Sequence, residues 1–246
     1  MKTFRTLLWS EWKLSMRDMN IPLFALIQPL IVALVIGFLG GHPAYEGADY
    51  TFLQQSFGAL ASLAVCATGL MGLPLVLADY RHKKILRQFI VTPVSPAQML
   101  IVQCVISLIV SLVSMASIYG LCRLLWGYRM AGSAPVFFLV YLLVVFSMFS
   151  IGMVIAGLAP NIKTASLVCT LLYFPMFFFS GATIPYEIMP VFAQKMMNVL
   201  PLTHGIKLLK AASLGLPFDR LTVSLAVLGG VGVVCAALSI RFFKWT

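Results

Sequence analysis

The chain has 246 residues, of which 61% are hydrophobic and only 10% charged, against about 25% charge in an ordinary soluble domain. That excludes a water-soluble globule, whose core could not hide so much apolar surface, and a disordered chain, which would be polar. Seventeen basic against seven acidic side chains give a net charge of +10; the basic residues lie in short segments between apolar runs without an aromatic-basic platform, so they point to membrane lipids as partners and not to nucleic acid.

In chain order, residues 1–20 predict a helix lying on the membrane. At 100° per residue Phe4, Leu7, Leu8, Trp12 and Leu14 share a broad arc, with Lys2, Thr6, Lys13 and Arg17 opposite. Glu11 and Asp18 fall on the apolar arc, so either they face a protein partner or the helix is only loosely interfacial. Glu11 and Lys13 also interrupt the apolar run too early for a secretory signal.

A helix needs about 20 apolar residues to cross about 30 Å of hydrocarbon, because its backbone must be satisfied within the segment. Six stretches qualify: 21–41, 54–78, 97–122, 135–158, 163–180 and 221–240. The expected fold is therefore an all-α integral membrane protein with six transmembrane helices in one domain, 1–246. Lys2, Arg5, Lys13, Arg17, Arg81, Lys83, Lys84, Arg87, Lys163, Arg241 and Lys244 fall on one side, against Arg123, Arg129, Lys195, Lys207, Lys210 and Arg220 on the other. This bias predicts cytoplasmic termini.

Small and hydroxylic residues recur along two spans: Gly58, Ser62, Gly69 and Gly72 on the second, and Cys104, Ser107, Ser111 and Ser114 on the third. Helix packing explains them without further function; a substrate-lining face is the alternative, with Ser107, Ser111 and Ser114 as its candidates. Pro29, Pro74 and Pro175 lie within spans and predict kinks. Cys66, Cys104, Cys122, Cys169 and Cys235 form no Cys-x-x-Cys pair, and His42, His82 and His204 are scattered. Neither a disulfide frame nor a metal site is expected.

No phosphate loop, His-Glu-x-x-His or Gly-x-Ser-x-Gly motif is present, and no carboxylate pair lies at membrane depth. An enzyme is not expected, and no cofactor on this chain. Ion-coupled carriers usually keep ionisable residues inside the bilayer, whereas here they lie outside the runs or at their ends. A transporter so built must borrow its driving force. A membrane scaffold or sensor, or a carrier with a neutral-oxygen ion site, are the alternatives.

Between spans two and three, segment 79–96 joins a basic stretch to an apolar strip of Ile85, Leu86, Phe89 and Ile90 at helical spacing, breaks at Thr92-Pro93, and restarts with Ser95 as cap and Pro96 in the first turn. The strip suits a groove on another protein or an interfacial bridge equally well. After span five, segment 181–207 is apolar, yet Pro185, Pro190 and Pro201 forbid one straight helix. Broken helices dipping back from the outer face are expected, against the translocation route. An outer gate there would involve Ser180, Gly181, Thr183, Pro185, Tyr186, Glu187, Pro201 and Thr203.

The run Val91-Thr92-Pro93-Val94-Ser95-Pro96, with Ser180-Gly181-x-x-x-Pro185 and Asn198-x-x-Pro201-Leu202-Thr203, resembles the ABC-2 type exporter permeases, membrane subunits of ATP-binding-cassette exporters. The resemblance covers all six spans. It implies an interfacial N-terminal helix, a coupling helix after span two that meets a cytoplasmic ABC ATPase through Asp79, Arg81, Ile85, Leu86, Phe89, Thr92 and Pro93, and re-entrant helices before span six. It further implies a second permease copy or related permease, ATP and Mg on the ATPase, export of an amphipathic drug, lipid or similar substrate, and the bacterial inner membrane as location. Where the family often begins the coupling segment with a Glu-Arg-Glu-x-Gly-like motif, this chain has Asp79-Tyr80-Arg81-His82-Lys83-Lys84, and only Asp79 and Arg81 keep its character.

Overall fold

A computed structural model of the chain describes residues 2–17, 23–40, 50–83, 96–180, 190–218 and 221–242. Among them are nine helices: α1 (Lys2–Arg17), α2 (Leu23–Leu39), α3 (Phe52–His82), α4 (Pro96–Trp126), α5 (Ala134–Leu158), α6 (Ile162–Phe179), α7 (Val191–Met197), α8 (Pro201–Leu214) and α9 (Thr222–Phe242). Five of these, α3, α4, α5, α6 and α9, are long and apolar enough to cross a membrane. The first expected span, 21–41, corresponds to α2, whose 17 residues reach only about 26 Å at 1.5 Å per residue.

Several expected boundaries are corrected. The helix of the second span does not stop at Ala78 but continues to His82, so Asp79, Tyr80 and Arg81 belong to its last turns. The reason is that each has a partner there: the Lys83 ammonium donates to Asp79 Oδ2 at 2.7 Å one turn away, while Tyr80 and Arg81 are tied to other helices. The third span runs past Cys122 to Trp126. The helix that begins at Pro201 continues beyond 207 to Leu214, where Gly215 ends it in the left-handed conformation at φ 71°. Starts are set by caps: Thr51 and Gln54 form a reciprocal capping box for α3, and the Asn161 side chain accepts from the Thr164 N–H of α6.

The central element is α3. In its most apolar window 83% of residues are buried, against 28% in α6 and 22% in α9, so α3 is the post around which the others pack and α6 and α9 are peripheral. It is not a uniform α-helix. Ala67–Gly72 winds as a π-turn, the Leu73 N–H reaching the Thr68 carbonyl, and Pro74 follows directly. Proline has no N–H to offer the preceding turn, and the wider turn moves the chain past the resulting gap. The same device opens α2, where the π-turn Leu23–Ile27 comes just before Pro29. Pro175 instead lies within α6.

At the π-turn α3 meets α5 backbone to backbone. A Cβ on Gly152 would overlap the Gly69 carbonyl oxygen, and one on Gly69 would press on Met148 and Phe149. Lower along α3, Gly58 rests on the backbone of Leu209 and Lys210 in α8. Gly58 and Gly69 of the second span thus serve close packing.

Candidate functional site

Tyr80 of α3 and Gln103 of α4 meet α1 at Glu11, and Arg81 of α3 meets the far end of α5. These contacts gather at one end of the bundle the whole of α1, the C-terminal ends of α3 and α5, and the start of α4.

The buried stripe of α1 is Leu7, Glu11 and Ser15, spaced four apart, while Phe4, Trp9 and Leu14 are exposed. The apolar arc expected for a surface-lying helix is therefore rotated: Phe4 and Leu14 face outward, and Glu11, 7% exposed, faces the chain's own bundle. Both expected explanations for Glu11 are replaced by this third. The Tyr80 hydroxyl and the Gln103 Nε2 amide, the latter at 2.6 Å, donate to the same Glu11 oxygen, Oε2. Burial nonetheless prevails and pushes the Glu11 carboxyl above its ordinary value, against the pull of those two hydrogen bonds.

Around this carboxyl lies a cleft of about 640 Å³ between α1, α2, α3, α4 and α6, a size in the range of small-molecule sites. Its lining is mixed, polar from Glu11, Ser15, Asp79, Tyr80, Gln103 and Ser166 and apolar from Phe24, Met71, Leu75, Val76 and Ile162. A second space of about 10 Å³ adjoins it through Ser15, Gly72, Val76 and Gln103 and reaches Thr68 and Ser107. Ser15 lines both, and its hydroxyl has no hydrogen-bond partner among the described residues. On the α2–α6 side, the Tyr173 hydroxyl donates to Gln28 Oε1, and the Phe24 and Tyr173 rings meet edge to face at 6.3 Å.

The expected site residues are distributed as follows. Asp79 is at the cleft, paired with Lys83. Arg81 points away from it and donates from Nη1 to the Ala156 and Gly157 carbonyls, at 3.2 and 2.8 Å, and from Nη2 to the Ala159 carbonyl. These are orphan carbonyls at the end of α5, and a guanidinium there satisfies them and opposes the helix dipole. Ile85, Leu86, Phe89, Thr92 and Pro93 lie outside the described residues, as do Gly181, Thr183, Pro185, Tyr186 and Glu187.

The serine face of α4 divides. Ser107 borders the small inner space; Ser111 is fully buried, with its carbonyl accepting from the Tyr141 hydroxyl at 2.8 Å; Ser114 is fully buried with an unpartnered hydroxyl. Of the three, Ser107 lines the small inner space, while Ser111 and Ser114 are buried among the helices.

The described part of the expected outer gate lies at the other end of the bundle. Pro201 starts α8, which packs on Gly58 near the start of α3 and on Val144 of α5. His204 Nε2 donates to the Asn198 carbonyl at 2.9 Å, and its Nδ1 lies 3.0 Å from Ser224 Oγ at the start of α9. Thr203 and Ser180 are 1% exposed, and their hydroxyls have no partner among the described residues. Sequence reasoning missed Glu11, Gln103 and Ser15 as one constellation. The available signal was that Glu11 and Ser15 share a face of α1 with Leu7.

The ABC-2 type transporter family model matches residues 2–214. Nodulation protein J of Rhizobium leguminosarum bv. viciae is 35% identical over 97 residues, 39% of this chain and 35% of that protein. The inner membrane transport permease YhhJ of Escherichia coli K12 is 27% identical over 170 residues, 69% of this chain and 43% of that protein. The chain thus aligns with less than half the length of either relative.

Proposed function

The chain belongs to the ABC-2 type transporter family, and from that premise we propose that it is the membrane-spanning permease of an ATP-driven exporter that moves an amphipathic drug, lipid or similar compound out of the cytoplasm or inner leaflet. The observation that carries this reading is the cleft beside Glu11. It is drug-sized, lined by both polar and apolar side chains, and lies at the end of the bundle that holds the basic residues Arg5, Lys13, Arg17, Arg81 and Lys83. The positive bias places that end in the cytoplasm, with both termini, in a bacterial inner membrane. The printed name of YhhJ, a transport permease of the inner membrane, agrees with this.

In the proposed cycle, ATP and Mg bind a separate cytoplasmic ATPase, two permease copies or a related pair form the route, and the segment that follows Lys83 receives the ATPase movement on Ile85, Leu86 and Phe89. Arg81 then supplies a mechanical link. It sits just before that segment and holds the carbonyls where α5 turns into α6, so displacement of the end of α3 is passed to two further spans. The two ATPase states must contact the segment unequally, since equal contact shifts no equilibrium. Segment 181–207 closes the outer end in this scheme.

Replacement of Leu86 or Phe89 by Asp tests the coupling directly. The expected result is a complex in which ATP hydrolysis continues while substrate flux into inverted vesicles is lost or the ATPase no longer co-purifies. Unchanged flux and association in both variants would refute docking at this segment.

A further inference from the structure

Of the seven acidic residues in the chain, two, Glu11 and Asp79, line one cleft. In a protein of net charge +10 that concentration runs against the overall balance. The only basic side chain lining the cleft among the described residues is Lys83, which is paired with Asp79 and extends toward solvent. Asp79 is thereby neutralised, and Glu11 is not: its two donors both meet Oε2, and among the described residues no donor meets Oε1. Beside it lies Ser15, more than nine-tenths buried, which lines both spaces and whose hydroxyl has no hydrogen-bond partner among the described residues. A mostly buried carboxylate with one oxygen free of donors, beside an unpartnered hydroxyl, favours a ligand that brings donors or positive charge. Phe24, Met71, Leu75 and Val76, which also line the cleft, offer such a ligand apolar contact.

We propose that this cleft is a binding site for amphipathic organic cations, with the cationic group at Glu11 and Ser15 and the apolar body against Phe24, Met71 and Leu75. The inference deepens the transport reading by naming its cargo class. An anion of the same shape is rejected, because it would bring like charge to Glu11 and find no free cation in exchange. Burial holds the Glu11 carboxyl above its ordinary value in the empty cleft, so cation binding expels the proton and affinity rises with pH.

The test is equilibrium binding to the full chain in lipid nanodiscs, with tetraphenylphosphonium as probe and tetraphenylborate as its size-matched anion, each corrected for its own partitioning into lipid read from empty discs. The expected result is saturable binding of the phosphonium alone, weakened roughly tenfold or more by Glu11→Gln, which keeps the side-chain volume and its acceptor oxygen. Leu75→Trp, which narrows the cleft and leaves Glu11 in place, is expected to abolish saturable binding. If Glu11→Gln does not yield monodisperse protein, the Leu75→Trp result and the borate comparison decide the matter. Equal affinity for the borate, or phosphonium binding unaffected by either substitution, would overturn the proposal. No ATPase and no flux enter this measurement, so a chain that binds the cation but exports nothing would sink the exporter reading and leave this one standing.

Discussion

At Glu11 a single carboxyl is taken out of water by α1, α3 and α4 and receives two hydrogen bonds on one oxygen. Gln at this position can still accept both, whereas Ala leaves the Tyr80 hydroxyl and the Gln103 amide unsatisfied in a buried place. Glu11→Ala should therefore destabilise the protein by about 1–3 kcal/mol and Glu11→Gln by less than about 1 kcal/mol, read as melting temperatures in detergent. The sign of the pH effect follows from burial. With its native value raised, Glu11 holds its proton more tightly folded than unfolded, so its contribution is full below the ordinary value of 4.5 and is lost as pH rises through the raised one. Melting temperature should accordingly fall across that window in the native protein, and Glu11→Gln should flatten the fall. Arg81 makes a second prediction. Arg81→Ala frees three carbonyls and should cost about 2 kcal/mol. Arg81→Lys should recover only part of it, because a point charge cannot span the Ala156, Gly157 and Ala159 carbonyls as a guanidinium does. Neither residue's role was legible in the sequence. Glu11 lies 69 residues from Tyr80 and 92 from Gln103, and Arg81 lies 75 from Ala156; helical periodicity gives the direction of a side chain on its own element, not what another element brings to it.

At the scale of elements, apolar length was the readable quantity. Five expected spans correspond to helices of at least 18 residues, because a continuous apolar run has few other solutions in lipid. Ends were less legible, because they depend on what the terminal residues touch: Asp79, Tyr80 and Arg81 extend α3 through their pairings, and α8 continues until Gly215 turns it. The expected kinks were legible as positions only. At Pro74 and Pro29 the chain answers with π-turns upstream, while Pro175 sits inside an α-helix. The contact of α3 with α5 at that π-turn permits no side chain. Gly152→Ala should force the two backbones apart, with a loss of about 1–3 kcal/mol visible as a lower melting temperature. The Ser114 hydroxyl, in contrast, is buried without a partner, and Ser114→Ala should leave stability and flux unchanged; a loss of flux would make this face part of the route.

For the molecule as a whole, the two ends are built differently. One holds the Glu11 cleft and the Arg81 tie to α5, beside the proposed ATPase-facing segment. The other holds α8, locked against α3, α5 and α9 through Gly58, Val144 and the His204–Ser224 contact. Energy supply is the central step of the proposed function, in which the chain provides the route and a partner ATPase the force. The most direct measurement is flux of a cationic amphiphile into inverted liposomes that contain the purified chain with and without its ATPase. The account predicts ATP-dependent accumulation only when both are present, insensitive to collapse of the proton and sodium gradients. Accumulation by the chain alone, driven by an ion gradient and indifferent to ATP, would contradict it.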